Sequence, residues 1–409
     1  MSLPNLTPPP ALRPELGGGA VVRLGLAYAA ATNGLVITPF LVAAMMLRFH
    51  LGEGAATQIA GIEILGIAIS CALLPRWISR AARSFSIAGV VGVIAGQAMS
   101  VFSWSVALMS VARGLTGIFE GVLFVVVASS ASHRESADRL WGQINLLSGG
   151  INGSILVVVS CLPDAWMGRW IFILLLGVVS AMAPVTLGVG QFAKHSTRTH
   201  SQHRKAPYKL VLTIWAVSVL IYGVQSAQWA VAGIVGARSG LSTTTIGVLL
   251  SVSSLLGFAG AVIPAQRATH AHRLKLIFLS QLVMIGAIVG FFHSTGNWSY
   301  FLSQLALNCA FFVIVPYLGG LLSEIDSDGS LVARTLVVTF VAAGTCTAFT
   351  GSLFEQYGST RFAYGLCIGV LAALPFVWLA LRGVGGRGVD STTPTFLATA
   401  NTRQGGEKS

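Results

Sequence analysis

The chain has 409 residues, 54% of them hydrophobic and only 9% charged, with a mean hydropathy of +0.77. Soluble domains carry about 25% charged residues, so a water-soluble fold of this size could not cover its surface, whereas lipid accepts an apolar exterior. The formal charge of +12 does not point to nucleic acid, because the basic residues sit in short connections between apolar runs, not in a patch with interleaved aromatics.

The polar, proline-bearing start from Met1 to Leu16 precedes a first apolar run too long for the core of a signal peptide. A bilayer core of about 30 Å needs about 20 apolar residues per helix. Twelve runs meet that length: 21–47, 57–78, 85–103, 106–130, 140–161, 169–190, 209–235, 244–265, 274–293, 298–322, 332–352 and 361–382. The expected fold class is therefore all-α polytopic, with twelve transmembrane helices. Cys71, Cys161, Cys309, Cys346 and Cys367 all fall inside apolar runs and form no CxxC pair. They read as small buried hydrophobes, and neither a disulfide, a metal site nor any cofactor is expected.

Loop charge sets the orientation. With the N-terminus in the cytoplasm, 20 of the 25 Lys and Arg residues fall in cytoplasmic segments. Arg48, Arg169, Arg238 and Arg361 fall on the opposite side, and Arg113 lies inside a span. This split predicts a multi-pass protein of the cell inner (cytoplasmic) membrane with both termini cytoplasmic.

The longest internal polar segment divides the chain. The expected units are a cytoplasmic tail over 1–20, a six-helix bundle over 21–190, a cytoplasmic linker over 191–208, a second bundle over 209–382 and a cytoplasmic tail over 383–409. The halves echo each other. Pro75-Arg76 after span two matches Pro264-Ala-Gln-Arg267 after span eight, an offset of 189, and Arg169-Trp170 before span six matches Arg361-Phe362 before span twelve, an offset of 192. Secondary transporters are often built from such repeats, with the site near the midplane between them.

Span four reads Arg113-Gly-Leu-Thr-Gly117-Ile-Phe-Glu120-Gly121, and span six opens on Gly168-Arg169-Trp170-Ile-Phe172. Together with a basic loop after span two, these resemble the major facilitator superfamily over all twelve spans. The loop departs from the family pattern: it lacks the usual aspartate, and Arg76, Arg80 and Arg83 stand in a segment without an acid. The resemblance implies two pseudo-symmetric six-helix bundles, a central cavity lined by spans one, four, seven and ten, and a substrate or proton-coupling role for Arg113. It also implies a cytoplasmic gating role for Arg76 and Arg80, echoed by Arg267 and Arg273.

An ionisable residue inside a span costs about 2.5–3.5 kcal/mol on insertion scales and usually faces a cavity or a partner. Only Glu63, Arg113 and Glu120 lie well inside, all in the first half. The matching depths of Glu63 and Arg113 predict an ion pair, which leaves Glu120 as the proton carrier. The alternative is a static structural pair with Glu120 held neutral by a hydrogen bond. Asn33 in span one, Tyr222, Gln225 and Trp229 on one face of span seven, and Gln304 and Asn308 on span ten are the candidate solute ligands. Pro39 and Pro316 are expected to kink spans one and ten.

These readings predict a monomeric, proton-coupled transporter of a small organic solute, its partners being solute, protons and lipid. Import of an organic or aromatic acid is favoured over drug or metabolite efflux by proton antiport. A non-transporting sensor and an intramembrane enzyme are more remote, since the eight histidines lie in loops or at span ends and no acid pair or metal spacing occurs.

Overall fold

In hydrocarbon a backbone N–H or C=O has no water to bond, so each apolar run must close its hydrogen bonds within itself as a helix. A computed structural model describes residues 16–131, 137–162, 167–193, 208–266, 272–325 and 330–385. Residues 1–15, most of the linker (194–207), Arg267 and residues 386–409 lie outside that set.

The helices are α1 (Gly18–Phe49), α2 (Glu53–Leu73), α3 (Pro75–Phe102), α4 (Val106–Ala131), α5 (Ala137–Ser160), α6 (Met167–Thr186), α7 (Tyr208–Ala230), α8 (Ala232–Arg238), α9 (Thr243–Gly257), α10 (Val262–Ala265), α11 (Arg273–Phe292), α12 (Asn297–Ile325) and α13 (Ser330–Gly385). Among the described residues, eleven segments are long and apolar enough to cross a membrane. The last, Arg334–Leu379, has 46 residues, about twice what one crossing needs. It breaks at Gly358, whose φ of 72° belongs to the left-handed region that glycine alone enters freely. The chain therefore crosses twelve times, as the apolar runs predict. Below, the near side is the one on which α1 begins and the far side the one on which it ends.

The boundaries differ from the sequence reading in informative places. The third helix starts at Pro75 and bends at Ala81 (φ −142°, ψ 33°), so the basic segment from Arg76 to Arg80 is helical, not a loop. Proline at the first helical position loses no hydrogen bond there. The eighth crossing is α9, a 3-10 turn over Phe258–Ala261, and α10 in succession. In contrast, α1 runs unbroken through Pro39 and α12 through Pro316. Pro39 cannot bond the carbonyl of Leu35, and the Thr38 hydroxyl donates to it at 3.0 Å instead.

Within the first half, α1 packs on α4, α5 and α6, and α3 on α4 and α6; in the second, α7 and α11 pack on α13, and α9 and α11 on α12. The two most extensive contacts between the halves are α2 along α13 and α5 along α9, and α1 also touches α7 and α8. The tightest approach is between α2 and α4. A side chain at Gly117 would overlap the Glu63 carbonyl, and the Ser70 hydroxyl donates to the Ile118 carbonyl at 2.6 Å. Small residues let membrane helices approach this closely. Gly117→Ala is expected to destabilise the protein by about 1–3 kcal/mol, read as a lower thermal midpoint in detergent, because backbone rather than a flexible side chain would have to move.

Candidate functional site

Close packing of α2 on α4 brings the two charged spans into register. Arg113 is fully buried and held on every nitrogen. Its Nε donates to Glu63 Oε2 at 2.9 Å, its Nη2 donates to Glu63 Oε1, and its Nη1 donates to Gln97 Oε1 at 3.0 Å. A planar guanidinium fits a carboxylate in this two-point manner. The Phe172 ring on α6 lies 5.8 Å from the guanidinium carbon. The charge of Arg113 is thus balanced inside the first half, between α2, α3 and α4.

Glu120 lies two turns further along α4 and is fully buried. Among the described residues, no Lys, Arg or His pairs with it; its carboxyl lies within hydrogen-bonding reach of the Glu63 carboxyl and of the Gly34 backbone, so a protonated Glu120 can donate to Glu63. Its nearest electrostatic neighbours are Glu63, Arg113 and the backbone at Gly34. The cluster therefore holds two carboxyls and one guanidinium. With Glu63 and Arg113 balanced, the proton on Glu120 decides whether the group is neutral or carries one negative charge.

The remaining candidate residues gather between α7 and α12. Gln225 Nε2 donates to Asn308 Oδ1 at 3.2 Å, Gln304 Nε2 donates to the same oxygen at 3.3 Å, and Gln228 Nε2 donates to Gln304 Oε1 at 2.7 Å. Tyr222 meets Phe311 edge-on with ring centroids 5.2 Å apart. Trp229 does something different: its Nε1 donates to the Val36 carbonyl of α1 at 3.1 Å, which ties the halves together. Asn33, also on α1, is buried with Oδ1 unpartnered.

Toward the far side the halves are joined by polar contacts. Glu53 at the start of α2 pairs with Arg238 at the end of α8, and the Arg238 guanidinium lies 4.5 Å from the Phe354 ring centroid. Ser251 Oγ donates to the Gly153 carbonyl at 2.9 Å, Thr244 Oγ1 donates to the Ser160 carbonyl at 3.0 Å, and the Gly351 N–H donates to Thr57 Oγ1 at 3.0 Å. Toward the near side, Phe124 of α4 meets Phe340 of α13 edge-on at 5.1 Å, with Tyr28 at 5.5 Å from Phe124.

Three participants escape the sequence reading. Gln97 and Gln228 are uncharged, and a search for charges at membrane depth passes over them; Gln228 is visible as the residue three places after Gln225 on the same helix. Glu53 stands at a span end, where an acid costs little. Of the proposed gating arginines, Arg76 and Arg80 are exposed, with Arg76 4.1 Å from the Trp77 ring centroid. Arg273 lies half-buried in the first turn of α11. None of these is near Arg113. A cavity of about 820 Å³ lies between the start of α1 and α5, lined mainly by Leu16, Val21, Leu140, Leu147 and Ile151. Its lining is mostly apolar, with Gln143 and Ser154 as polar members, and includes none of the residues above. Among the described residues, no group of three His, Cys, Asp or Glu side chains could hold a metal.

No known protein family description matches the sequence, and no curated protein matches it. Solved structures do. A D-xylose-proton symporter superposes with a TM-score of 0.66 at 18% identity, covering 88% of this chain and 96% of its own. The peptide transporter POT gives 0.68 at 13% identity, covering 92% and 97%. The nucleoside transporter NupG gives 0.67 at 12% identity, covering 89% and 98%. The fold is that of the major facilitator transporters. At these identities the likeness establishes the architecture, and what a major facilitator fold of this composition does rests on its own residues.

Proposed function

We propose that the chain is a proton-coupled secondary transporter of a small organic solute that works by alternating access. The units 21–190 and 209–382 rock about a midplane site, the near side is cytoplasmic, and the protein works as a monomer in the inner membrane. The observation that carries this reading is Glu120: a fully buried carboxyl with no cation of its own, against the Glu63 carboxyl of a closed Arg113–Glu63 pair, so that two acids share one guanidinium. A structural acid at that depth would be expected to hold a cation of its own. A group that must take a proton from one side and give it to the other is better left without one. The same fold in a D-xylose-proton symporter, a peptide transporter and a nucleoside transporter supports the reading.

The pairing of Arg113 bears on the solute. An organic acid needs a free cation, and in this arrangement Arg113 donates to Glu63 and Gln97 from all three nitrogens. A neutral or cationic solute fits better than the anionic one that the isolated arginine suggests. Purified protein in liposomes, challenged with a pH gradient and a broad solute panel, tests the proposal. Gradient-driven movement of at least one solute is expected, and none across the panel would sink it.

On this reading the far-side contacts would close the passage from the outside. Arg238→Ala removes the charged link between α8 and α2. With a single cysteine introduced as Gln225→Cys on a cysteine-free background, the expected result is faster labelling by an impermeant maleimide added from outside. An unchanged labelling rate would mean that the Glu53–Arg238 pair plays no part in closure.

A further inference from the structure

The uncharged side of the site points to a class of cargo. The amides of Gln225, Asn308, Gln304 and Gln228 form a continuous hydrogen-bonded chain between α7 and α12. Each link uses only part of what an amide offers. Gln225 Oε1, Gln228 Oε1 and Asn308 Nδ2 are buried and have no partner, and so is Asn33 Oδ1 on α1. Buried polar atoms are nearly always bonded, and each exception calls for an explanation. Three exceptions on one continuous amide chain call for a single one: a molecule that arrives and supplies the missing partners.

The chemistry of that molecule follows from what surrounds the chain. Amides are neutral and present donors and acceptors together. Exchanging oxygen and nitrogen in all four linked amides preserves the links and merely inverts which ends are free. A solute that satisfies either arrangement must carry groups able both to donate and to accept, and hydroxyls and amides do so. A full charge would find no counter-charge among these amides, and Arg113 is engaged with Glu63 and Gln97. The Tyr222 and Phe311 rings beside Gln225 and Asn308 offer an apolar face for a carbon skeleton.

We infer that the transported solute is a small neutral molecule rich in hydroxyl or amide groups, held by Gln225, Gln228, Gln304 and Asn308. The inference rests on the transport reading and names its cargo, with Glu120 reserved for the proton.

The test is ligand-induced stabilisation of the full-length protein in detergent, which needs neither a membrane nor a gradient. The probes are a neutral panel of polyols, monosaccharides, nucleosides and small amides, against benzoate and succinate as anions and tetraphenylphosphonium as a cation. The expected result is a raised thermal midpoint with at least one neutral compound and none with the ions. Gln225→Leu and Asn308→Leu should each weaken the apparent affinity for that compound roughly tenfold or more. Their unliganded midpoints show whether the fold survives, and Gln225→Ala, at a half-buried position, serves if either leucine variant fails to fold. Stabilisation by an ion alone, by no neutral compound, or by a neutral compound to an extent untouched by both amide substitutions overturns the inference. A neutral compound that binds through the amides but is not moved by a pH gradient refutes proton coupling and leaves the class of ligand standing.

Discussion

Glu120→Gln is expected to abolish pH-driven net transport while leaving solute exchange intact. Glutamine keeps the shape of a protonated glutamate and cannot lose a proton. If the proton on Glu120 sets the charge of the Glu63–Arg113–Glu120 group, the variant is fixed in the neutral state. Net movement driven by a pH gradient in liposomes should fall to the level of protein-free vesicles. Exchange of labelled for unlabelled solute requires only that the loaded carrier reorient, so it should persist. A variant that still concentrates solute under a pH gradient would show that Glu120 does not carry the proton. A variant that loses both activities would assign it a structural role instead.

The second large effect concerns the pair itself. Arg113→Ala removes the partner of a buried carboxylate and leaves Glu63 on α2 beside Glu120 without a compensating cation. Breaking a buried pair from one side costs about 3–5 kcal/mol, whereas replacing both partners by neutral groups is often close to neutral. The thermal midpoint of Arg113→Ala in detergent should therefore fall sharply, and the double variant Glu63→Gln, Arg113→Gln should recover most of the loss. Transport by the double variant separates two roles. Recovery of stability with activity makes Arg113 a structural partner. Recovery of stability without activity makes it part of the coupling machinery, because glutamine restores the hydrogen bonds but not the charge that Glu120 senses. Failure of the double variant to recover stability would contradict the premise that the uncompensated charge causes the loss.

The architecture was legible in the sequence because its physics is one-dimensional. Twelve apolar runs give twelve crossings whatever their packing, since the bilayer fixes their length. The Glu63–Arg113 geometry was legible for a similar reason: only three charges lie at depth, and two of opposite sign lie at the same depth. What escaped was the part set by three-dimensional neighbours. Nothing in the spacing of span three singles out Gln97, whose role arises because α3 packs along α4 and places it at the third nitrogen of Arg113. Trp229 shares a helical face with Tyr222 and Gln225, yet its indole reaches α1 rather than the amide chain, because α7 crosses α1 at that turn. Pro39 looked like a kink and is not a break, since Thr38, one residue before it, happens to supply the missing bond. Composition reads helices well and reads their partners poorly.

The polar contacts between the halves share a property with a consequence for how the protein opens. Several of them end on main-chain oxygens: Trp229 on Val36, Ser251 on Gly153 and Thr244 on Ser160. A side chain can swing away from a partner by changing one torsion, but a helical carbonyl is fixed to its whole segment. Loosening one such contact therefore does little unless α1 and α5 move away from α7 and α9 together. The passage should open in a single concerted step with few partly open forms, so the waiting time for opening, rather than its extent, is what solute and proton adjust.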